Sequence, residues 1–277
     1  MYEEVTEMSY FVTEDHCRIY YEDRGPKDAQ CIVFVHGGGC NRFFYKKNVP
    51  ALAKKFRVLS YDQRCHGDSD KPEYGTYFAR MARDLRELLE ALDMHKVVLV
   101  GHSMGMDVIW QYIKDYGQED VAGIVVYEMS AKLMNEGDWT RGTMDAKGVL
   151  DYFAMQGGHF DDAGFYWSAK SMFGEGEVDE KDVEWTIEQM KSSGCPLGVY
   201  IQCCTSDYRD VVPTVNVPVL VTHGKWVSLY AEDVSQWIVD NTGGYARKVG
   251  FEGGHFCCYQ DADNWNREVT HFLENEI

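Results

Sequence analysis

A serine flanked by glycines lies in a stretch whose pattern could make it a nucleophile. Residues 101–105 read GHSMG; they follow the apolar run KVVLV and precede MDVIWQYIKDY, which has a helical pattern. A G-x-S-x-G sequence between a strand and a helix is typical of a strained turn that exposes the serine hydroxyl. The glycines leave room where such a turn brings the backbone close to its neighbours. We therefore predict that Ser103 is a nucleophile.

A second glycine-rich stretch, HGGG at 36–39, follows the apolar run CIVFV. Backbone N–H groups in a loop of this kind can face the negative oxygen that forms when a nucleophile attacks a carbonyl group. We predict that the N–H groups of Gly38 and of Met104, the residue after the candidate nucleophile, form this oxyanion site. The glycines of HGGG could also be present because the turn needs a positive φ, and this explanation is compatible with an oxyanion site in the same loop.

The general base that such a serine needs is sought among nine histidines. In YARKVGFEGGHF, a strand-like run and a Gly-Gly turn precede His255, and the helical pattern of DNWNREVTHFL follows it. His36 and His102 belong to the two motifs already described. His66 and His223 follow strands that carry other roles. We predict that His255 is the base, in a loop after the last strand.

Short apolar runs that alternate with helical patterns must position these residues. Runs of this kind are typical of parallel strands that are buried on both faces. They occupy 31–37, 57–62, 96–101, 122–128 and 217–224. SYFVTEDHCRIYYEDRG predicts an antiparallel hairpin at one sheet edge, and four leucines at helical spacing predict a helix on the sheet. The leucines are Leu85, Leu88, Leu89 and Leu92. The fold class is therefore α/β, with a mostly parallel sheet.

The alternation stops between residues 130 and 212, where aromatic side chains are frequent and no comparable strand run occurs. We predict that 130–212 forms a helical cap over the carboxyl ends of the strands, and that 1–129 and 213–277 form the core. Of the cap aromatics, Trp139, Trp167 and Trp185 are predicted to contact substrate. Gly37 of the HGGG loop is also predicted to contact it.

HGGG, YDQRCHGDSDKP at 61–72, GHSMG and GGHF at 253–256 occur in this order along the chain. Together they resemble the α/β-hydrolase superfamily, over residues from about 9 to 275. The resemblance implies an eight-stranded, mostly parallel sheet, a cap inserted after strand six, and a Ser–acid–His triad in that chain order. Cys65 stands where the family pattern D-x-R-G-H-G-x-S has a glycine, which leaves the shape of that turn open.

The acid of the triad is absent from its common position. In many members of the superfamily it lies three residues after the glycine that ends strand seven, and here that residue is Val227. Glu232 and Asp233 come too late for the usual turn. Some members instead place the acid after strand six, where this chain has Glu128. We predict that the Glu128 carboxylate lies about 2.6–3.2 Å from the His255 ring. The alternative is that a carboxylate at this position anchors the cap.

The resemblance implies hydrolysis of a carboxylic ester or lactone through an acyl-enzyme, without a metal or organic cofactor. A serine nucleophile argues against dehalogenase and epoxide hydrolase chemistry, which use aspartate in similar folds. Thioesterase, carbon–carbon bond hydrolase and cofactor-free perhydrolase activities share the triad and stay open. A ligand-binding receptor of the same fold is the non-enzymatic alternative.

Composition restricts the partners of the chain. A formal net charge of −18 argues against nucleic acid and anionic membranes and disfavours anionic substrates. The aromatic cap favours a small, apolar, uncharged substrate. MYEEVTEMSY lacks the features of a secretory signal and no run reaches about 20 apolar residues, so a cytoplasmic protein is predicted. Free thiols are predicted for the nine cysteines. A monomer and a homodimer both stay open.

Overall fold

The computed structural model describes residues 8–157, 161–194, 197–226, 229–230 and 232–277. Eight strands form one sheet in the order β1-β2-β4-β3-β5-β6-β7-β8. Strand β2 is antiparallel to β1 and β4, and the strands from β4 to β8 are parallel. Their bounds are β1 Met8–Val12, β2 Arg18–Arg24, β3 Cys31–Val35, β4 Arg57–Tyr61, β5 Val97–His102, β6 Val121–Tyr127, β7 Val219–Gly224 and β8 Ala246–Phe251. The predicted fold class is confirmed.

Ten helices accompany the sheet in the described part of the chain. They are α1 Val49–Leu52, α2 Phe78–Ala91, α3 Met104–Tyr116, α4 Ala146–Gly157, α5 Asp162–Ser171, α6 Glu180–Ser192, α7 Leu197–Thr205, α8 Glu232–Asn241, α9 Cys257–Gln260 and α10 Ala262–Asn275. Short 3-10 turns occupy Arg42–Tyr45 and Val212–Thr214. None of these helices is both long and apolar enough to cross a membrane.

The central strands are buried on both faces, because each face is covered by helices. In β3, Val33 and Val35 belong to one apolar cluster, which includes the buried faces of α2 and α3. Ile32 and Phe34 belong to the other, together with residues of α9 and α10. Alternate side chains of a strand point to opposite faces, so a continuous apolar run fills both halves of the core.

The segment between β6 and β7 is helical, as the cap prediction requires, and contains α4 to α7. Phe173 and Val183 from this segment are fully buried in the same apolar cluster as Phe256, which precedes α9. The cap therefore packs on the carboxyl ends of the strands, beside the loop that carries His255. The division into a core of 1–129 and 213–277 and a cap of 130–212 stays a prediction.

Candidate active site

Ser103 lies in a strained turn between β5 and α3. Its φ of 50° and ψ of −126° are unfavourable for any residue with a side chain. A Cβ added to Gly105 would lie 2.2 Å from the carbonyl oxygen of Val35, and one added to Gly101 would lie 2.9 Å from the Cα of Met106. Both glycines of the motif are therefore required by close backbone packing, and the turn points Ser103 beyond the strand tips.

Glu128 follows the next strand and contacts His255. Its Oε2 lies 3.4 Å from Nδ1 of His255, and its Oε1 accepts a hydrogen bond of 2.5 Å from the N–H of Gly224. Both side chains are nearly completely buried. Glu128 has a φ of 48°, so its backbone, like that of Ser103, lies in the left-handed region. The contact with His255, at 3.4 Å, is slightly longer than the predicted 2.6–3.2 Å, and the other carboxylate oxygen binds the end of β7.

The backbone of His255 is held by two neighbouring side chains. The hydroxyl of Tyr127 donates to the His255 carbonyl oxygen at 2.7 Å, and Nε2 of His102 lies 3.2 Å from the same oxygen. Burial lowers the pKa of His102 well below its ordinary value, so its ring is neutral. Because Nε2 faces a carbonyl oxygen, the single ring proton belongs on Nε2. These two donors fix the loop that presents the imidazole.

Ser103, His255, Gly38 and Met104 line one cavity of about 1050 Å³ beneath the cap. The backbone hydrogen bonds between loop residues of the described ranges include none donated by the N–H groups of Gly38 or Met104. Among the described residues, no hydrogen bond joins Ser103 to His255. Such bonds are often formed only in the substrate complex. The cavity brings together a hydroxyl, an imidazole backed by a carboxylate, and two N–H donors.

Comparison with known proteins agrees with this geometry. The family model for the alpha/beta hydrolase fold matches residues 30–154. A Synechocystis protein provisionally named a non-heme chloroperoxidase is 32% identical over 220 residues, covering 74% of this chain and 76% of that protein. The chain belongs to the α/β-hydrolase family.

Two further proteins show how far the similarity extends. A bifunctional esterase/perhydrolase from Acinetobacter calcoaceticus is 26% identical to this α/β hydrolase, covering 79% of this chain and 82% of that one. The solved structure of an esterase from Exiguobacterium antarcticum has a TM-score of 0.89 and 22% identity, covering 97% of this chain and 100% of that one. The structural similarity extends through the cap as well as the core.

The position of the usual acid was predicted to be Val227, which lies outside the described residues. Asp233, the next candidate, pairs with Arg141 at 3.4 Å. In the described part of this α/β hydrolase, Glu128 is the carboxylate that contacts His255. The turn at Cys65 keeps the conformation expected of glycine, since Cys65 itself has a φ of 69°.

The predicted tryptophan contacts need correction. Trp167 of α5 lines the cavity, but Trp139 and Trp185 do not. Trp139 donates from Nε1 to the Lys132 carbonyl oxygen at 3.0 Å and packs edge-on against Trp237, which holds it in the base of the cap. Trp185 stacks on Tyr259 of α9, with ring centroids 5.1 Å apart. Both rings join the cap to the core. The amino-acid composition of the cap cannot show whether an aromatic side chain packs in this way or contacts substrate.

Gly37 was also predicted to contact substrate, and the structure places it behind the cavity wall. Gly37 is buried and does not line the cavity. A Cβ at this position would lie 2.8 Å from Nδ1 of His102. The residue is glycine because the HGGG loop passes directly against the His102 ring.

Sequence reasoning missed several residues of the cavity wall, including Tyr200 and Tyr230. Tyr200 belongs to α7, and the ring of Tyr230 lies 5.9 Å from the ring of His255. Neither belongs to a motif, so no local signal could have identified them.

Burial raises the thiol pKa of two cysteines that line the cavity, Cys40 and Cys204. Eight cysteines in the described ranges form no disulfide, and Cys195 lies outside these ranges. Cys40 lines the cavity, but burial raises the pKa of its thiol to about 12, which suppresses the nucleophilic thiolate. No group of three or more His, Cys, Asp or Glu side chains in the described ranges could hold a metal ion.

Proposed function

We propose that this α/β hydrolase cleaves a carboxylic ester or lactone of a small apolar molecule through an acyl-enzyme. The observation that carries the proposal is the Glu128–His255 contact at 3.4 Å, at the wall of the cavity that Ser103 also lines. A nucleophile, a base and an acid that orients the base are the parts that serine hydrolysis requires.

In the acylation step, Ser103 Oγ attacks the carbonyl carbon while Nε2 of His255 takes its proton. Glu128 accepts a hydrogen bond from Nδ1–H, which fixes the tautomer and stabilises the imidazolium that forms. The carbonyl oxygen becomes negatively charged and is stabilised by the N–H groups of Gly38 and Met104. His255 then protonates the departing alcohol oxygen, and the acyl group stays on Ser103.

Deacylation repeats the sequence with water. His255 takes a proton from water, the resulting hydroxide attacks the acyl carbon, and Ser103 Oγ leaves with the proton that His255 returns. The products are the carboxylic acid and the free enzyme. For a lactone, both products are parts of one hydroxy acid.

The cavity wall supports an apolar substrate. Much of the surface around Ser103 is contributed by hydrocarbon and thioether groups, which favour apolar acyl or alcohol groups. Examples are Leu133, Met144, Phe165, Met172, Leu197 and Phe256. The net charge of −18 disfavours anionic substrates.

Perhydrolysis is the second candidate, because the relative from Acinetobacter calcoaceticus is named a bifunctional esterase/perhydrolase. In that reaction hydrogen peroxide replaces water in the deacylation step and the product is a peracid. Thioester and carbon–carbon bond hydrolysis use the same triad. A receptor would instead bind its ligand tightly with slow turnover.

The test is a hydrolysis screen with p-nitrophenyl esters of increasing acyl length, together with lactones, thioesters and an ester plus hydrogen peroxide. Wild type and Ser103→Ala are compared, and a fluorophosphonate probe measures the reactivity of Ser103. We expect ester or lactone turnover and labelling in wild type and neither in the variant. Turnover that persists in Ser103→Ala would contradict the serine mechanism. Tight ligand binding without turnover or labelling would favour the receptor.

A further inference from the structure

A buried histidine binds the carbonyl group that precedes the proposed Gly38 donor. Nδ1 of His36 lies 2.9 Å from the carbonyl oxygen of Gly37. His36 is completely buried and does not line the cavity, whereas Gly38 is partly exposed and does. The histidine therefore contacts the oxyanion loop from behind, away from the space that a substrate would fill.

The hydrogen bonds of His36 determine which ring nitrogen carries the proton. Burial lowers the pKa of His36 to about 4, so at neutral pH the ring is uncharged and holds a single proton. The backbone N–H of Gln63 donates to Nε2 at 3.0 Å, which makes Nε2 an acceptor. The proton is therefore on Nδ1, which donates it to the Gly37 carbonyl oxygen.

The loop after β4 also holds the backbone of His36. Nε2 of the Gln63 side chain donates to the His36 carbonyl oxygen at 2.6 Å, and Gln63 is itself buried. Strands β3 and β4 are neighbours in the sheet and run parallel, so these contacts join the carboxyl ends of two adjacent strands. Both the ring and the backbone of His36 are thus fixed by one residue of the core.

Binding of the Gly37 carbonyl group sets the direction of the Gly38 N–H group. The peptide bond between them is trans, so this C=O and this N–H point in opposite directions. A Gly37 oxygen that faces the His36 ring therefore leaves the Gly38 N–H on the other side of the peptide. The N–H of Cys40 also donates to the Gly37 oxygen, at 3.2 Å, and closes a turn over 37–40.

We propose that His36 is a positioning residue for the oxyanion site, because its Nδ1–H holds the Gly37–Gly38 peptide with the Gly38 N–H directed away from the core. This inference rests on the proposed serine hydrolysis with Gly38 as a donor. It goes beyond that function by giving a role to a residue that contacts no substrate. Backbone donors stabilise an oxyanion best when they are fixed before the charge forms. A flipped peptide would present the Gly37 oxygen instead, and glycine backbones resist such a flip least.

Two amide substitutions at position 36 separate the two ring nitrogens. In His36→Asn the side-chain NH₂ can occupy the place of Nδ1 and donate to Gly37, but nothing replaces Nε2. In His36→Gln the side-chain amide reaches the place of Nε2 and can accept from Gln63, but the donor to Gly37 is lost. A role in packing alone favours Gln, the larger of the two, whereas the proposed role favours Asn.

His66 provides the matched control. It is also completely buried, and its ring lies 5.0 Å from that of His36. Nδ1 of His66 lies 3.0 Å from the Arg64 carbonyl oxygen, which belongs to the loop after β4 and not to the oxyanion loop. His66→Asn and His66→Gln repeat the two changes where no oxyanion donor depends on them, so the two should have equal kcat.

The experiment measures kcat and KM for p-nitrophenyl acetate and the Ki of an aryl trifluoromethyl ketone. Ser103 Oγ adds to the ketone carbon, the carbonyl electron pair becomes an alkoxide, and His255 keeps the serine proton. Relative to His36→Asn, we expect His36→Gln to lower kcat about 10- to 100-fold, because a single oxyanion donor contributes a factor of this order or more. KM should change little, and the Ki should rise by the same factor as kcat falls.

Thermal unfolding and fluorophosphonate labelling accompany the kinetics. Equal kcat and Ki in folded His36→Asn and His36→Gln, or the same Asn–Gln difference at His66, overturns the positioning role and leaves the serine mechanism intact. Folded wild type that neither reacts with the probe nor turns over esters overturns both proposals. A loss in His36→Gln that His36→Asn does not share supports the inference.

A measurement on wild type does not depend on how the variants fold. In ¹⁵N NMR of the imidazole groups, the protonated and unprotonated ring nitrogens of a neutral histidine have different chemical shifts. We expect the His36 proton on Nδ1 at neutral pH. A proton on Nε2 would overturn the inference, since Nδ1 would then have no hydrogen to donate to Gly37.

Discussion

Oε2 of Glu128 lies 3.4 Å from Nδ1 of His255, although 127 residues separate them in sequence. The other carboxylate oxygen accepts the N–H of Gly224, the last residue of β7. Strands β6 and β7 are neighbours in the sheet. A carboxylate at the end of β6 can therefore reach the His255 ring, so the sequence VTHGKWVSLY, which has no acid after β7, still leaves a carboxylate beside that ring.

The strained turn at Ser103 gives a prediction about stability. Ser103→Gly should relieve the cost of a φ of 50° and stabilise the protein by about 1 kcal/mol relative to Ser103→Ala. Both variants should lose about 10⁶ in kcat, since each removes the nucleophile. Thermal unfolding of the two inactive variants measures the difference. A glycine variant with the lower Tm would contradict stored strain at this residue.

Trp167 and Trp185 give a prediction about substrate range. Trp167 lines the cavity with 67% of its surface exposed, whereas Trp185 stacks on Tyr259 outside it. Trp167→Ala should lower kcat/KM for long-chain or aryl esters about 10-fold, because apolar contact area is lost, and should affect acetate esters less. Trp185→Phe is the control and should leave the ratio of the two substrates unchanged. A shift of that ratio in Trp185→Phe alone would contradict the assignment.

Asp107 gives a prediction about pH. This side chain is buried in α3, its Oδ2 has no hydrogen-bond partner in the described structure, and burial raises its pKa well above 3.8. The unfolded chain therefore releases this proton at lower pH than the folded protein. The stability that Asp107 contributes is complete below about pH 3.8 and is lost as pH rises toward the folded-state pKa.

Asp107→Asn removes this titration. Between about pH 4 and pH 7, the Asp107→Asn variant should become progressively more stable than wild type as the pH rises. The difference in the free energy of unfolding should grow by up to about 1.4 kcal/mol per pH unit. Asp115→Asn, on the exposed side of the same helix, controls for the loss of one charge. Denaturant titrations at several pH values measure both. A difference that does not change with pH would contradict a raised pKa at Asp107.

The motif residues could be predicted because close backbone packing restricts their type. Gly101 and Gly105 have no room for a side chain, so the GHSMG pattern identifies the turn from sequence alone. The cap aromatics have no such restriction. Trp139 and Trp167 are the same residue type, yet one is buried against Trp237 and the other lines the cavity, which only tertiary packing determines.

Glu128 and Tyr200 show the same contrast. The proximity of Glu128 to His255 could be predicted because the sheet order places the ends of β6 and β7 side by side, once the family resemblance supplies that order. Tyr200 could not, since its position depends on how α7 packs over the core, and no sequence pattern records that packing.

The most direct test of the account is the kcat of Glu128→Gln, with Asp233→Asn as its control. Glutamine keeps the shape of Glu128 but cannot stabilise the imidazolium of His255, and a comparable Asp→Asn change in serine proteases costs about 10⁴ in kcat. Asp233 pairs with Arg141 and should be replaceable without loss. We predict a loss of about 10⁴ in Glu128→Gln and near wild-type kcat in Asp233→Asn. Retention of most activity in Glu128→Gln, or a large loss in Asp233→Asn alone, would contradict the assignment of Glu128 as the acid.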